Sequence, residues 1–294
     1  MNKVQKAVRF ADMLFRPEGV RRPDKRQVFD FLMDNTAITE KEVFQWEKES
    51  FVCFNGQTAV YGEYYPIENA VGCAVLAHGF AQNRYIMIPQ QMLFRELGFH
   101  TVIFDQRAFG ESKEKYCTFG MKEASDVACV TDWASEKSGM YGKMVVLGVS
   151  MGAASAMKAL EYTENINYLV EDCGFADLET VMDSLYASMN EGERNSCAAG
   201  AFWKKAAELG LNADRNQPID LLRKTEIPVC IFHGTDDTTI DAEHARRLYE
   251  VCRNPDSKLE LFEGKEHALC VTGRERYRAA LRRFLDKLYV SAEM

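Results

Sequence analysis

The stretch KMVVLGVSMGAASAMKALEY, residues 143–162, contains a strand, a turn and a helix in immediate succession. Met144 to Leu147 form an unbroken apolar run, which reads as a strand buried on both faces. Residues 151–162 are rich in Ala, Met and Leu, all strong helix formers. Between the two, Gly148-Val149-Ser150-Met151-Gly152 matches the pattern G-x-S-x-G. A strand that turns at once into a helix places the central serine on a sharp, strained turn, with its Oγ exposed above the sheet. The glycines follow from that geometry, because a side chain at 148 or 152 would collide with the neighbouring helix or strand. Ala153, Ala154 and Ala156 are small, as close packing beneath the turn requires. A plainer reading of the same residues is a helix after a glycine turn, with Ser150 as its N-cap.

Outward from this unit, short apolar runs alternate with helical stretches. Strands are predicted at 72–78, 100–105, 143–149, 167–172, 228–233 and 258–263. Helices are predicted near 85–97, 120–137, 151–163, 241–253 and 273–289. Such an alternation implies a parallel sheet covered by helices. Ahead of it, SFVCFNGQTAVYGEYYP (50–66) reads as a hairpin turning at Asn55-Gly56. A hairpin followed by repeated βα units gives a mixed sheet of about eight strands. Residues 173–227 are too long for an ordinary connection and contain LETVMDSLYASMN and SCAAGAFWKKAAELG, both helical in pattern. The expected organisation is a helical extension at 1–50, a core at 51–177 and 227–294, and a small helical cap inserted at 178–226.

In the extension, Val4, Val8, Ala11 and Leu14/Phe15 recur at helical spacing, and after RPEGVRRP a second run sets Val28, Phe31 and Leu32 on one face. These helices are expected to pack on the main domain or on a second subunit, which leaves an oligomer open. Arg16, Arg21, Arg22, Lys25 and Arg26 form a basic cluster that reads as a solvated face, with a partner or membrane surface as the other reading.

Composition narrows the classes. The 294 residues are 47% hydrophobic and 27% charged, as in globular proteins and unlike disordered chains. A net charge of −8 repels phosphate backbones, so nucleic acid is not an expected partner. No run approaches the roughly 20 apolar residues that span a bilayer, and the N-terminus lacks a signal-peptide core, so the expected location is cytoplasmic. The nine cysteines are scattered without a CxxC pair, which suits reduced, buried thiols and neither a disulfide framework nor a zinc site.

Four further stretches follow the strand pattern. His78-Gly79-Phe80-Ala81 follows the strand at 72–78, and Asp105-Gln106-Arg107-Ala108-Phe109-Gly110-Glu111-Ser112 follows the next. PVCIFHGTDDTTI (228–240) ends a strand with a turn and two aspartates. KLELFEGKEHALC (258–270) sets His267 just past the last strand, ahead of the amphipathic helix GRERYRAALRRFLDKLY. The other histidines are poorly placed for chemistry with Ser150. His100 opens a strand, His244 lies on a helix, and His78 and His233 sit in H-G turns.

Together with GVSMG, these five ordered motifs over about residues 70–290 resemble a cytosolic serine hydrolase of the α/β-hydrolase superfamily. The chain is most similar to the bacterial serine-aminopeptidase-like and esterase-like members with a small helical cap. The resemblance implies an α/β fold with a mostly parallel eight-stranded sheet and a chain order of Ser, Asp, His. It implies Ser150 as nucleophile and His267 as base. The family pattern H-G-x-x-D-x-x-V/I-P selects Asp237 as the acid. Asp236, which could instead cap the helix near 241, and Asp172, at the end of the preceding strand, are the other candidates. The backbone N–H groups of Met151 and Phe80 would stabilise an oxyanion; without that role the HGF loop is only a turn. Gln82, Asn83, Arg84 and Tyr85 would line the entrance. The family usually has glycine where this chain has Ala108, so the DQRAFGES loop backbone could differ, and the loop is given no chemical role.

The implied chemistry is hydrolysis of a carboxylic ester through an acyl-enzyme on Ser150, with no cofactor and no metal. Apolar cap residues such as Met182, Leu185, Tyr186, Met189, Phe202 and Trp203 would in part roof a pocket for a small to medium hydrophobic acyl or aryl group. Peptidase or amidase, thioesterase and acyltransferase activities use the same three residues. A catalytically silent binding protein on the same fold is the reading from another class.

Overall fold

The computed structural model describes residues 1–17, 24–35, 45–211 and 217–290. Among these, eight strands form one sheet: β1 (Glu49–Asn55), β2 (Thr58–Tyr65), β3 (Gly72–Ala77), β4 (Phe99–Phe104), β5 (Met144–Val149), β6 (Tyr168–Asp172), β7 (Val229–Gly234) and β8 (Lys258–Phe262). The order across the sheet is β1-β2-β4-β3-β5-β6-β7-β8. β2 runs antiparallel to both its neighbours, and every pairing from β4 to β8 is parallel. The expected α/β architecture with a mostly parallel eight-stranded sheet is therefore the observed one, and the six predicted parallel strands start and end within one residue of their predicted limits.

The continuous apolar strands divide their residues between two faces, because successive side chains point to opposite sides. Val75 and Val146 pack in one layer with Val127, Ala153 and Leu248. These come from α4 (Glu123–Ser138), α5 (Met151–Ala159) and α9 (Glu243–Glu250). Leu76, Val145 and Leu147 pack in the other with Leu93, Leu281 and Phe284. This layer is built from α3 (Ile88–Glu96), which follows a 3-10 turn at Arg84–Met87, and α10 (Arg274–Phe284), which continues after a break as α11 (Asp286–Val290). Each fully buried Val or Leu contributes about 1.5–3 kcal/mol relative to exposure, so the central strands anchor everything attached to their ends.

The interval between β6 and β7 holds α6 (Leu178–Met189), α7 (Ala198–Glu208) and α8 (Pro218–Leu222). The extension holds α1 (Lys3–Phe15) and α2 (Lys25–Asn35). Both extension helices pack on their own chain, and both are rotated from the expected face. In α1 the buried side is Ala7, Phe10, Ala11, Leu14 and Phe15, while Val4 and Val8 are exposed. Two aromatic rings decide the rotation: Phe10 meets Tyr186 edge-on at 4.9 Å, and Phe15 stacks on Phe202 at 4.6 Å. In α2 the buried side is Val28, Phe29 and Leu32, packed with Ile88, and Phe31 is 48% exposed. Of the basic cluster, Arg16 bonds Tyr116 Oη at 3.0 Å and Lys25 sits over the Tyr85 ring, whereas Arg21 and Arg22 lie outside the described residues.

The turn at Gly148–Gly152 is built on contact between backbones. A Cβ on Gly152 would strike the carbonyl oxygens of Ala77 and His78, and one on Gly148 would strike the Gly152 carbonyl. Gly200, on α7, has open space around it. Gly152→Ala should therefore lower the unfolding free energy in urea by about 1–3 kcal/mol. Gly200→Ala should raise it by about 0.5–1 kcal/mol through helix propensity. Equal effects of the two substitutions would contradict this account of the turn.

Candidate active site

Ser150 lies between β5 and α5 with φ 57° and ψ −118°, a backbone region that costs a non-glycine residue roughly 1–3 kcal/mol. Its own backbone holds it there. The Ser150 N–H donates to the Asp172 carbonyl at 2.9 Å, and the Ser150 carbonyl accepts from Ala153 and Ala154 at 3.0 and 3.2 Å. Ser150 occupies the N-cap position of α5, yet its side chain caps nothing. Its Oγ instead lies 2.9 Å from His267 Nε2.

His267 follows β8, and its Nδ1 is 2.7 Å from Asp237 Oδ2. A carboxylate only accepts, so Nδ1 carries the proton, Nε2 presents its lone pair, and the Ser150 hydroxyl donates to it. The two loops meet because β7 ends in a glycine. A Cβ on Gly234 would strike the Lys265 carbonyl, and with that side open the Asp236 N–H reaches Lys265 O at 3.0 Å.

Asp237 is buried and fully engaged. Oδ1 accepts the N–H groups of Thr239 and Ile240 at 2.9 and 2.8 Å. His233 Nε2, which donates to the Ile240 carbonyl at 2.8 Å, also lies 3.3 Å from Asp237 Oδ2. Burial by itself would push the Asp237 carboxyl up. The hydrogen bonds from His233 and His267 outweigh it and hold the carboxyl well below the usual carboxylate range. His233 was set aside in the sequence as a residue of an H-G turn. Its position four residues before Asp237, on the strand that delivers it, is the signal that could have identified it as a brace.

The other candidate acids are occupied elsewhere. Asp236 accepts from the Thr235 hydroxyl, and it does not cap α9, where Asp241 bonds the Glu243 N–H at 2.8 Å. Asp172 accepts from Tyr277 Oη at 2.9 Å. The remaining histidines bond backbone. His78 lies between Gly79 O and the Gln106 N–H, His100 accepts from Ile67, and His244 accepts from Ala176.

The HGF loop passes directly beside the serine: a Cβ on Gly79 would sit 3.5 Å from Ser150 Cβ. Met151 opens α5, where the first N–H groups have no partner inside the helix. Phe80 stacks on Phe119 at 5.0 Å, which fixes the loop from its outer side. In the loop after β4, Asp105 accepts from the Arg84 N–H at 2.8 Å, from its guanidinium at 2.6 Å and from the Glu111 N–H at 2.9 Å. Arg107 pairs with Asp126 through two bonds of 2.6 and 2.7 Å. Ala108 takes φ 66°, so the left-handed conformation is kept without a glycine. Of the four expected entrance residues only Gln82 lines the cavity. Asn83 caps the 3-10 turn, Arg84 is buried on Asp105, and the Tyr85 hydroxyl bonds Glu63.

Ser150 and His267 open into a cavity of about 420 Å³ whose lining is mostly apolar and, among the described residues, without Asp, Glu, Lys or Arg. Polar groups there are uncharged, among them Gln82, Gln90, Ser188 and Thr239. Cys173, Asp237 and His267 bring possible metal-ligand atoms within 4.8 Å of one another. The donor set suits a metal poorly: both imidazole nitrogens are engaged, and burial pushes the Cys173 thiol well up, against the thiolate a metal needs.

Behind Asp237, Glu171 of β6 is fully buried. Its Oε1 accepts the Gly174 N–H at 2.8 Å, and its Oε2 has no partner among the described residues. Burial pushes this carboxyl up to about 8. A carboxyl raised in the fold stabilises it while protonated, below the unfolded value of about 4.3, and that stability is lost as the pH rises towards 8. The urea midpoint should therefore fall between about pH 5 and about pH 8. Glu171→Gln, which cannot ionise, should make that fall smaller; equal falls in the two proteins would contradict the buried-acid account.

A family model described as alpha/beta hydrolase fold matches residues 75–202. The Bacillus subtilis (strain 168) protein YqkD, uncharacterised, is 28% identical over 265 residues, 88% of this chain and 86% of that protein. The Salmonella typhi protein YfhR, also uncharacterised, is 26% identical over 82% of this chain and 81% of its own. Among solved structures, the Pyrococcus furiosus esterase Pf2001 superposes with a TM-score of 0.69 at 19% identity, covering 86% of this chain and 97% of that one. At that identity the likeness speaks for the fold alone. The matched segment runs from the strand before the HGF loop, through the serine turn, into the helices between β6 and β7, and the chain has the α/β-hydrolase fold.

Proposed function

We propose that this protein is a serine hydrolase that cleaves a carboxylic ester with a small to medium hydrophobic acyl or aryl group, through an acyl-enzyme on Ser150. One observation carries the reading: an unbroken hydrogen-bond chain from Ser150 through His267 to Asp237 whose hydroxyl end faces an uncharged, mostly apolar cavity. The match to the alpha/beta hydrolase fold model over residues 75–202 and the esterase among the fold neighbours support the same class.

In the proposed reaction His267 Nε2 takes the Ser150 proton as Oγ attacks the acyl carbonyl. The imidazolium that forms stands against a carboxylate kept ionised by its hydrogen bonds. The tetrahedral oxyanion is placed against the backbone N–H groups of Met151 and Phe80; losing one such donor typically costs about 3–4 kcal/mol of barrier. His267 returns the proton to the leaving alkoxide, and the acyl-enzyme is then hydrolysed by a water that His267 deprotonates. His233 acts on this step only through Asp237, by fixing the carboxylate's position and charge.

Ser150→Ala should abolish both turnover of p-nitrophenyl butyrate and labelling by a fluorophosphonate, with the circular dichroism spectrum unchanged. Asp237→Asn should lower kcat by about 10⁴-fold. Asp172→Asn should retain activity, because its carboxylate faces Tyr277 and not His267. Retained turnover by Ser150→Ala, or a crippled Asp172→Asn beside an active Asp237→Asn, would overturn the assignment. Aminoacyl arylamides assayed beside the ester read the bond preference.

A further inference from the structure

The cavity above Ser150 is bounded by two helices that are far apart in the chain. Leu185 and Met189 reach it from α6, in the interval between β6 and β7. Phe31 and Leu32 reach it from α2, in the N-terminal extension. The extension lies outside the segment that the family model matches.

The two walls are built differently from an ordinary packed surface. Leu32 is buried in a cluster with Val28, Phe29 and Ile88, which fixes α2 against the 3-10 turn and α3. Phe31, the next residue round the helix, is left 48% exposed at the same cavity. On α6 Tyr186 and Met182 are buried, while Met189 is 36% exposed and lines the cavity too. Phe31 and Met189 bring partly exposed apolar side chains to one cavity whose lining, among the described residues, has no Asp, Glu, Lys or Arg, which suits an apolar occupant.

We propose that α2 forms one wall of the acyl-binding cleft, and that Phe31, with Met189 of α6, selects uncharged linear acyl groups of roughly six to ten carbons over acetyl. This rests on the serine-hydrolase reading above and deepens it. The length follows from the volume: about 420 Å³ must hold the chain together with the ester group and part of the leaving group. A shorter acyl group leaves the Phe31 and Met189 side chains wet. A longer one replaces that water by apolar contact and gains binding in the transition state as well as in the complex. A carboxylate or ammonium on the chain would meet no counter-charge among the described residues that line the cavity, and is disfavoured there.

The experiment compares kcat/KM for p-nitrophenyl octanoate with that for p-nitrophenyl acetate in the full chain and in Phe31→Leu, Phe31→Ala and Phe31→Asp. The octanoate-to-acetate ratio should stay near wild type for Leu, fall about tenfold for Ala and fall further for Asp. Met189→Ala, on α6, should also lower it. Phe54→Ala, an exposed apolar residue on edge strand β1, should leave it unchanged. Ratios within twofold of wild type across the Phe31 series would overturn the proposal. Fluorophosphonate labelling in the same samples separates the two claims. Labelled proteins with a flat ratio defeat the role of α2 alone, whereas an unlabelled wild type defeats the serine-hydrolase reading itself.

Discussion

Two backbone segments touch at the base of the site with no side chain between them: the start of α5 at Gly152, and the end of β3 at the Ala77 and His78 carbonyls. Every other feature of the site depends on that approach. It draws the helix N-terminus against the HGF loop, which passes beside Ser150. It also forces the chain to reverse within a few residues, which puts Ser150 at φ 57°. The resulting strain, roughly 1–3 kcal/mol, is held by the Ser150 N–H bond to Asp172 O and by the buried strands on either side.

The charge at the far end of the hydrogen-bond chain is settled by a similar balance. Burial disfavours the Asp237 carboxylate, and two imidazoles with two backbone N–H groups favour it more strongly. Glu171, one strand away, lacks that company, and burial prevails there. Two acids at neighbouring strand ends thus hold their protons on opposite sides of neutrality, and the difference lies in the number of donors each one meets.

The cavity completes the picture at a larger scale. Its walls come from the extension, from the helices between β6 and β7, and from the loops at the strand ends. The rotation of α1 and α2 away from the face suggested by Val4, Val8 and Phe31 follows from aromatic packing against partners that lie far along the chain. The entrance residues were misread for a related reason. Asn83, Arg84 and Tyr85 are hydrophilic at their tips and adjacent in sequence to the HGF loop, but buried carboxylates at Asp105 and Glu63 draw two of them inward.

The amino-acid sequence by itself determined the strands, their helical coverings and the turn at Ser150, because these are local: an unbroken apolar run, a helix-forming run and a pair of glycines act within a few residues of one another. The family resemblance implied the order Ser150, Asp237, His267 and selected Asp237 among the aspartates. Tertiary structure set Asp237 against the imidazole and turned Asp172 to Tyr277 and Asp236 to Thr235. It alone decided that His233 braces Asp237, that Ala108 keeps a glycine's conformation, and that a helix at the N-terminus walls a cavity at a serine more than a hundred residues away. Contacts of that kind depend on the distance between elements once the sheet has closed, and no window of sequence contains both partners.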